Sequence, residues 1–342
     1  MNTALAEHPQ AAPWLEAAAT QRWPYSRLRD WLQRPSAAAP PQLPVIPSLP
    51  SDWKALVEGS NTLSDGGLYC WQQQLDSPGW TQKKMQLHLP AGAQASVLLL
   101  GAGQAQAVSE LQLQWTLEAG ARLQLLRLNL HGPDVSVLED WKLQLQTEAK
   151  LEVLDLNLGA SLSHQQLQLD LLGERSEAHW QGLALLADQA RAVTQATISH
   201  QGDRSISRLD LRNALAGRAR RSAVGRVKVE RHCVDADSAQ LCRSLLLSDR
   251  AGADMRPELE IYADQVQCAH GATCGALDQS ALHYLRSRGL DPLTARNLLL
   301  ESFALPALSA APESTQALLE PLLRQKLDAL SQLLQSAESP HG

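Results

Sequence analysis

The most regular feature of the chain is an alternation of apolar and polar residues that recurs at a fixed interval. Three segments align without gaps, each 28 residues after the last: 85–100 (MQLHLPAGAQASVLLL), 113–128 (LQWTLEAGARLQLLRL) and 141–156 (WKLQLQTEAKLEVLDL). Alternation with a period of two residues is typical of a half-buried strand. Ala93, Ala121 and Ala149 fall at a short polar turn in the middle of each segment. Each segment is therefore predicted to be a strand, a turn and a second strand.

A repeat of fixed length predicts coils that stack on one another, each pairing mainly with its neighbours. A fourth coil at 169–185 slips by about one residue, and alternation continues through 205–211, 225–231 and 259–263. An antiparallel β-sandwich of meanders would also alternate, but it needs no fixed repeat length. We therefore predict a mainly β protein built on a right-handed parallel β-helix with coils of about 28 residues.

Different patterns flank the repeat and define the predicted organisation. The segment 35–50 holds six prolines, which neither a central strand nor a helix accommodates. The predicted parts are an N-terminal helical region (1–34), a proline-rich linker (35–50), the β-helix core (51–276) and a C-terminal helical domain (277–342).

Three helices are predicted in the C-terminal domain. Asp278 and Asp291 are suited to cap the first two, and Pro292 fits the first turn of the second. The third, at about 314–335, carries leucines at helical spacing. They are Leu319, Leu322, Leu323, Leu327, Leu330 and Leu334. This stripe either covers the end of the stacked coils or contacts a partner.

Composition and charge narrow the class of protein. A net charge of -6 argues against nucleic acid as a main partner. The arginine-dense segment 204–231 is better explained as a solvated sheet face than as a binding patch. Five cysteines without a paired framework fit a reducing cytosol. No signal peptide is expected at the start, and no apolar run approaches the ~18 residues of a membrane span. We expect a soluble, cytoplasmic protein.

Common catalytic motifs do not occur. The sequence has no GxxxxGK[ST], HExxH, CxxC pair or GxSxG. A β-helix enzyme acting on polysaccharide would group carboxylates on one exposed face. The three clear coils instead carry Gln, Lys, His and Thr at their polar positions. This pattern argues against a polysaccharide-active enzyme.

One constellation of metal-binding residue types stands out: Cys268, His270 and Cys274 in QCAHGATCG. Residues two apart on a strand share a face, so Cys268 and His270 would project together. A thiolate and an imidazole suit iron or zinc, but two donors leave a site that another chain or sulfide must complete. Two alternatives stay open, a buried cysteine beside a hydrogen-bonded histidine and a zinc-binding adaptor that also uses Cys274. The remaining candidates are interpreted as structural or ordinary: Cys70, His200, His232, Cys233, Cys242 and His283.

The run from Pro257 to Gly289 (PELEIYADQVQCAHGATCGALDQSALHYLRSRG) resembles the SufD family of bacterial iron–sulfur cluster assembly proteins. The CxHGAT turn and the helix ending in YLRSRG carry the resemblance, and 217–225, 235–248 and 295–304 extend it. The sequence departs from the family pattern in several places. Gln265, Gln267 and Ala269 replace the usual Asp, Lys and Ser, Cys274 stands where Val is common, and Cys242 and Ser244 replace asparagines of an interior ladder.

The resemblance implies a β-helix between helical ends and a non-catalytic scaffold role. It implies pairing with the SufB subunit through the late β-helix strands and with the SufC ATPase through the C-terminal helices. It also implies that His270, with Cys268 beside it, contacts a transient iron–sulfur cluster shared with SufB, with no stable cofactor of the chain's own. A homodimer is expected to be possible when SufB is absent.

Overall fold

The structure of the protein is a computed structural model that describes residues 53–338. The predicted N-terminal helical region (1–34) and proline-rich linker (35–50) lie outside these residues and stay predictions. Within 53–338, no helix is long and apolar enough to cross a membrane.

The described chain first forms strands that alternate between two sheets. The odd sheet contains β1 (Lys54–Ala55), β3 (Gly67–Leu75), β5 (Gln94–Gly103), β7 (Arg122–Asn129), β9 (Lys150–Asn157), β11 (Glu177–Leu186), β13 (Ile206–Leu215), β15 (Ala236–Leu246) and β17 (Val266–Gly275). The even sheet contains β2 (Gly59–Thr62), β4 (Gly79–Leu89), β6 (Ala107–Leu117), β8 (Val135–Leu145), β10 (Leu162–Leu171), β12 (Arg191–His200), β14 (Arg220–Val229) and β16 (Gly252–Ile261). Within each sheet, every strand pairs with the strand two positions away in sequence.

The strand pairing confirms the parallel β-helix and its repeat. Met85 of β4 pairs with Leu113 of β6, which pairs with Trp141 of β8. All these pairings are parallel, which an antiparallel sandwich of meanders would not give. Two strands per coil, one in each sheet, therefore build a stacked solenoid.

The fourth coil is shorter than its predecessors. In the even sheet Trp141 pairs with Leu167, and in the odd sheet Val153 pairs with Trp180. The slip is therefore two residues in one sheet and one residue in the other, where the sequence pattern suggested a slip of about one residue. A shorter turn still lets inward residues pair with inward residues on the next coil, because each strand keeps its own alternation of inward and outward residues.

The interior contains stacked apolar side chains. The rings of Trp115 and Trp141 lie 6.3 Å apart between centroids at an interplanar angle of 12°, and Trp180 follows at 5.6 Å from Trp141. Stacking along the axis buries each ring between its neighbours on adjacent coils. The apolar inward positions of the repeat therefore form one continuous core.

A buried charged cluster interrupts this core and was not predicted from the repeat. The guanidinium of Arg127 donates from Nε to Glu139 Oε1 at 3.0 Å and from Nη1 to Asp155 Oδ1 at 2.7 Å. All three residues are buried. Burial raises the pKa of Glu139, and the positive charge of Arg127 opposes this rise. Removing one member would leave a buried charge without its partner, which is strongly destabilising.

Each coil passes through the same turn with one residue in the left-handed region. In successive coils this residue is Gly92, Gly120, Glu148, Arg175 and Arg204, with φ from 54° to 70°. The N–H of Gly120 donates to the carbonyl of Thr147 at 2.8 Å, and that of Glu148 to Glu174 at 2.8 Å. The left-handed conformation costs a non-glycine residue about 1–2 kcal/mol. Hydrogen bonds between stacked turns offset part of this cost.

The C-terminal helices begin where the sequence predicted. They are α1 (Gln279–Ser287), α2 (Pro292–Ala304), a 3-10 helix (Leu305–Ala310) and α3 (Glu313–Glu338). The carboxylate of Asp278 accepts hydrogen bonds from the N–H groups of Ser280 and Ala281, and Asp291 caps α2 in the same way. Gly289 follows α1 with φ 92°.

The leucine stripe of α3 has a different role from either predicted one. Its leucines belong to one buried apolar cluster with α2, the 3-10 helix and outward-facing residues of the odd sheet. The sheet residues include Leu98, Leu128, Leu156 and Leu183. The stripe therefore covers the side of the β-helix. It neither covers the end of the coils nor stays available for a partner.

Replacing Gly120 by alanine should lower the free energy of unfolding by about 1–2 kcal/mol, because an alanine there must keep a positive φ. An added Cβ would meet nothing closer than 3.8 Å, so the loss is conformational and not steric. Gly275 is the matched control, since its φ is not positive and its Cβ would have open space. Urea unfolding should show Gly275→Ala to be neutral or slightly stabilising. An equal loss in both variants would contradict the left-handed turn.

Stability should fall as the pH drops below about 6.5, because three buried histidines are neutral in the folded chain. Burial lowers the pKa of His131 and His164 to about 3 and that of His200 to about 4. Below 6.5 the unfolded chain takes up protons that the folded chain refuses. Each histidine then contributes up to about 1.4 kcal/mol of lost stability per pH unit.

His200→Gln isolates one of these contributions. Urea unfolding between pH 7.5 and 5 should give a slope for this variant that is shallower by up to about 1.4 kcal/mol per pH unit. An unchanged slope would mean that His200 takes up its proton in the folded chain as readily as in the unfolded chain.

Candidate functional site

The C-terminal end of the β-helix is an open end, formed by β16 and β17. β17 pairs with β15 on one side, and no strand within 53–338 pairs with its other side. β16 likewise pairs only with β14 in this part of the chain. Both strands therefore present a row of backbone N–H and C=O groups that another chain can pair with.

The three candidate metal ligands lie on β17 and share one face. Cys268, His270 and Cys274 are in register with Ser238, Gln240 and Ser244 of β15. Those β15 residues are buried in the interior. Since side chains alternate across a strand, the candidates occupy the inward face of the last coil. There Cys268 is half-buried, and His270 and Cys274 are exposed.

The strand brings Cys268 and His270 together but keeps Cys274 away from them. Cys274 lies six positions after Cys268, which is about 20 Å along a strand. No group of three or more His, Cys, Asp or Glu residues suited to a metal occurs in the described part of the chain. The hypothesis of a zinc adaptor that uses all three ligands of one chain is therefore wrong.

A buried polar column leads to Cys268 from inside the β-helix. His200 contacts the hydroxyls of Ser205 and Ser207 at 2.8 Å each, and Ser207 contacts Ser238 at 2.8 Å. Ser238 is the register partner of Cys268 and makes a backbone hydrogen bond to its thiol. These hydrogen bonds hold the coil beneath Cys268 in one arrangement.

The sequence analysis interpreted His200 as structural or ordinary and did not identify its two hydroxyl partners. The signal was present in Ser205 and Ser207 five and seven residues later. The contact could not be predicted from the sequence, because it depends on how the turn after β12 brings Ser205 and Ser207 back to His200.

The chemistry of the pair follows from its burial. Burial raises the pKa of the Cys268 thiol, and the hydrogen bond from Ser238 opposes this only in part. The thiol is therefore protonated at neutral pH, and a metal must displace that proton to bind. Cys268 and His270 supply one sulfur and one nitrogen donor, so they fit iron or zinc only as part of a larger ligand set.

The other cysteines lie away from this site. Cys70, Cys233 and Cys242 are buried and free. The thiol of Cys233 donates to the carbonyl of His200 at 3.1 Å, and burial raises the pKa of Cys70 to about 11. Their structural interpretation is confirmed.

The arginine-dense segment forms ion pairs along the outside of the sheets. Arg204 pairs with Glu174, Arg208 with Asp237 and Arg226 with Glu258. Arg221 is the exception, because it lies inside and donates to Asn213 Oδ1 at 3.0 Å and Thr194 Oγ1 at 2.9 Å. The ion pairs agree with a solvated sheet face and not with a basic binding patch.

Comparison with known proteins identifies similar sequences over most of the described chain. The family model "SUF system FeS cluster assembly, SufBD core domain" matches residues 72–303. The chain is 28% identical over 243 residues to the iron–sulfur cluster assembly protein SufD of Escherichia coli, covering 70% of this chain and 56% of that protein. It is 34% identical over 165 residues to a SufBD family protein of Synechocystis, covering 48% of this chain and 36% of that protein. The alignments therefore span about a third to about half of these curated relatives. The resemblance to SufD read from residues 257–289 is confirmed.

Proposed function

This chain belongs to the SufBD family of SUF-system iron–sulfur cluster assembly proteins, and on that premise we propose that it is a non-catalytic scaffold subunit. It pairs with a SufB-like subunit and a SufC-like ATPase in the cytoplasm. A nascent cluster forms at its interface with the SufB-like subunit. The observation that carries this proposal is the open end of the β-helix, where the Cys268–His270 pair lies on an edge strand.

The open end supports pairing with a second β-helix. Core side chains there are only partly buried, including Met255, Leu259 and Val266. Ile261 and Tyr262 are 41% and 53% exposed. A second solenoid stacked on this end would cover these side chains and supply the missing backbone hydrogen bonds. The SufB-like subunit is the partner that family membership suggests for this position.

The position of Cys268 and His270 supports a shared cluster site. Each offers one donor on the inward face of the last strand, whereas an iron–sulfur cluster usually takes four protein ligands. The SufB-like subunit would supply the remainder. The cluster is then cargo that leaves the scaffold once it is complete.

The outer faces of the C-terminal helices support a second docking surface, for the SufC-like ATPase. Helix α1 has no buried residue, and its Tyr284 is 57% exposed. Leu298 of α2 and Leu318 of α3 are 44% and 48% exposed. The leucine stripe of α3 is already used against the β-helix, so the ATPase would contact these outward residues instead.

Replacing His270 by alanine should lower cluster formation by about tenfold or more, because one ligand of a shared site is lost. The measurement is anaerobic cluster assembly on the complex with the host's SufB-like and SufC-like proteins, followed by visible absorbance. The complex should form normally, since strand pairing uses the backbone of β17 and not the His270 side chain. The matched control is His88→Ala, an exposed histidine on the outer face of β4 that contacts Glu118.

Two results would contradict this proposal in different ways. A chain that co-purifies with neither protein at moderate salt would rule out the scaffold role. Unchanged cluster formation in His270→Ala would remove His270 from the site and leave the complex intact.

A further inference from the structure

A polar cavity lies inside the β-helix among its early coils, between β3 and β8. Its lining includes Trp71 of β3, Gly101 of β5, Arg127 of β7, Glu139 of β8, and His131 in the turn between β7 and β8. The cavity has a volume of about 20 Å³ for a water-sized sphere. About 10–15 Å³ measured in this way is enough to hold one water molecule. The cavity is therefore large enough for a small ligand and lies away from the open end at β16 and β17.

Gly101 creates the space for this cavity. It lies between Gln73 of β3 and Asn129 of β7 in the register of the odd sheet. A Cβ added at this position would lie 2.3 Å from Cε1 of His131, so a larger residue would displace the imidazole ring. The side chains on the coils before and after Gly101 therefore border a gap that Gly101 does not fill.

Three polar atoms of the lining residues are buried and make no hydrogen bond within residues 53–338. They are Nε1 of Trp71, Nε2 of His131 and Oε2 of Glu139. His131 and Glu139 are only 4% and 6% exposed, so bulk solvent does not hydrate them. Buried polar groups are nearly always paired, either with protein or with ordered water. These three atoms therefore indicate a bound molecule in the cavity.

The imidazole of His131 offers an acceptor to the cavity. Its Nδ1 lies 2.8 Å from Oδ1 of Asn129, and Asn129 donates from its Nδ2 to Asn157. Burial lowers the pKa of His131 to about 3, so the ring is neutral and carries one N–H. Because that N–H is at Nδ1, where Asn129 accepts it, Nε2 has a free lone pair.

Glu139 offers a second acceptor, and Trp71 offers a donor. Oε1 of Glu139 accepts the single Nε–H of Arg127 at 3.0 Å. Oε2 lies 2.8 Å from the same nitrogen, but Nε has no second hydrogen to donate to it. The indole Nε1 of Trp71 can only donate. The molecule in the cavity therefore has to accept one hydrogen bond and donate two.

We propose that this cavity binds one water molecule, which accepts a hydrogen bond from Nε1 of Trp71 and donates to Nε2 of His131 and Oε2 of Glu139. Three hydrogen bonds are the usual number for a buried water. The water bridges the coil of Trp71 to the coils of His131 and Glu139, across the position where Gly101 has no side chain. The site is independent of the proposed scaffold function, because that function uses the open end and the C-terminal helices.

The charges around the cavity favour a neutral ligand over an ion. The guanidinium of Arg127 and the N–H of Trp71 repel a cation. The carboxylate of Glu139 and the lone pair of His131 repel an anion. A neutral molecule that both donates and accepts fits this set, and the volume of the cavity limits it to one water.

Nuclear magnetic resonance of the whole chain tests the site in solution. Water–protein cross-relaxation is recorded for the indole N–H groups as both NOE and ROE. The Nε1–H of Trp71 should give peaks of opposite sign in the two experiments, which marks contact with a bound water and not proton exchange. The Trp71→Phe variant assigns the signal. A Trp71 indole without such peaks would overturn the proposal.

Trp141 is the matched control for this experiment. Its Nε1 is also buried without a hydrogen bond in the described part of the chain, but its ring lies between Trp115 and Trp180 in the apolar core. No water contact is therefore expected at Trp141. Equal water signals at Trp71 and Trp141 would show that the signal does not depend on the polar cavity, and would overturn the proposal.

A crystal structure that resolves ordered solvent, obtained with bromide in the crystal, identifies the ligand. We expect one solvent peak within hydrogen-bond distance of Trp71 Nε1, His131 Nε2 and Glu139 Oε2, without anomalous scattering from bromide. In Trp71→Phe this peak should be weakened or lost. A bromide signal in the cavity, a cavity without a peak, or an unchanged peak in Trp71→Phe would each contradict the proposed water site.

Discussion

Each coil of this β-helix is held by backbone hydrogen bonds to the coils before and after it, and the last coil has a neighbour on one side only. Among the described residues, β15 pairs with β13 and β17, whereas β17 pairs with β15 alone. The consequence appears in burial, since Ser238, Gln240 and Cys242 of β15 are buried and every residue of β17 is at least partly exposed. The same backbone that makes the stack stable therefore leaves, at the end formed by β16 and β17, a place where a further strand is favourable. The residues with metal-binding chemistry lie on that strand.

The interior holds polar side chains among the apolar ones, and these polar residues fix the register of the coils. A one-residue slip in a strand would turn its inward side chains outwards. In a purely apolar interior such a slip would expose apolar side chains. In this interior it would also separate buried polar groups from their hydrogen-bond partners. Asn129 donates to Asn157 at 3.0 Å, and Asn213 donates to Ser244 at 3.2 Å. Ser244, where the SufD family pattern has asparagine, thus keeps a hydrogen bond to the coil below it.

The sequence was sufficient for those features that depend on local periodicity. The repeat of 28 residues gave the pairing of Met85 with Leu113 and Trp141, and Asp278 and Asp291 marked the starts of two helices. Features that depend on coil length could not be predicted, because the turns change length after β8. His200, Ser207 and Ser238 contact one another only once three coils are correctly stacked. Arg127 is a partial exception, since it shares the inward phase of Leu123 and Leu125 and could have been recognised as buried.

The account depends most on the claim that the free edge of β17 is where a second β-helix adds a strand. Amide hydrogen exchange of β17, compared between the monomeric chain and its complex with a SufB-like subunit, tests this most directly. The N–H groups of Cys268, His270 and Ala272 face the free edge and should change from fast to slow exchange on binding. Asp237 of β15 donates its N–H to Ser205 of β13, so in the parallel register the N–H groups of Gln267, Ala269 and Gly271 face β15 and should change little. Fast exchange at Cys268, His270 and Ala272 in the complex would contradict the account.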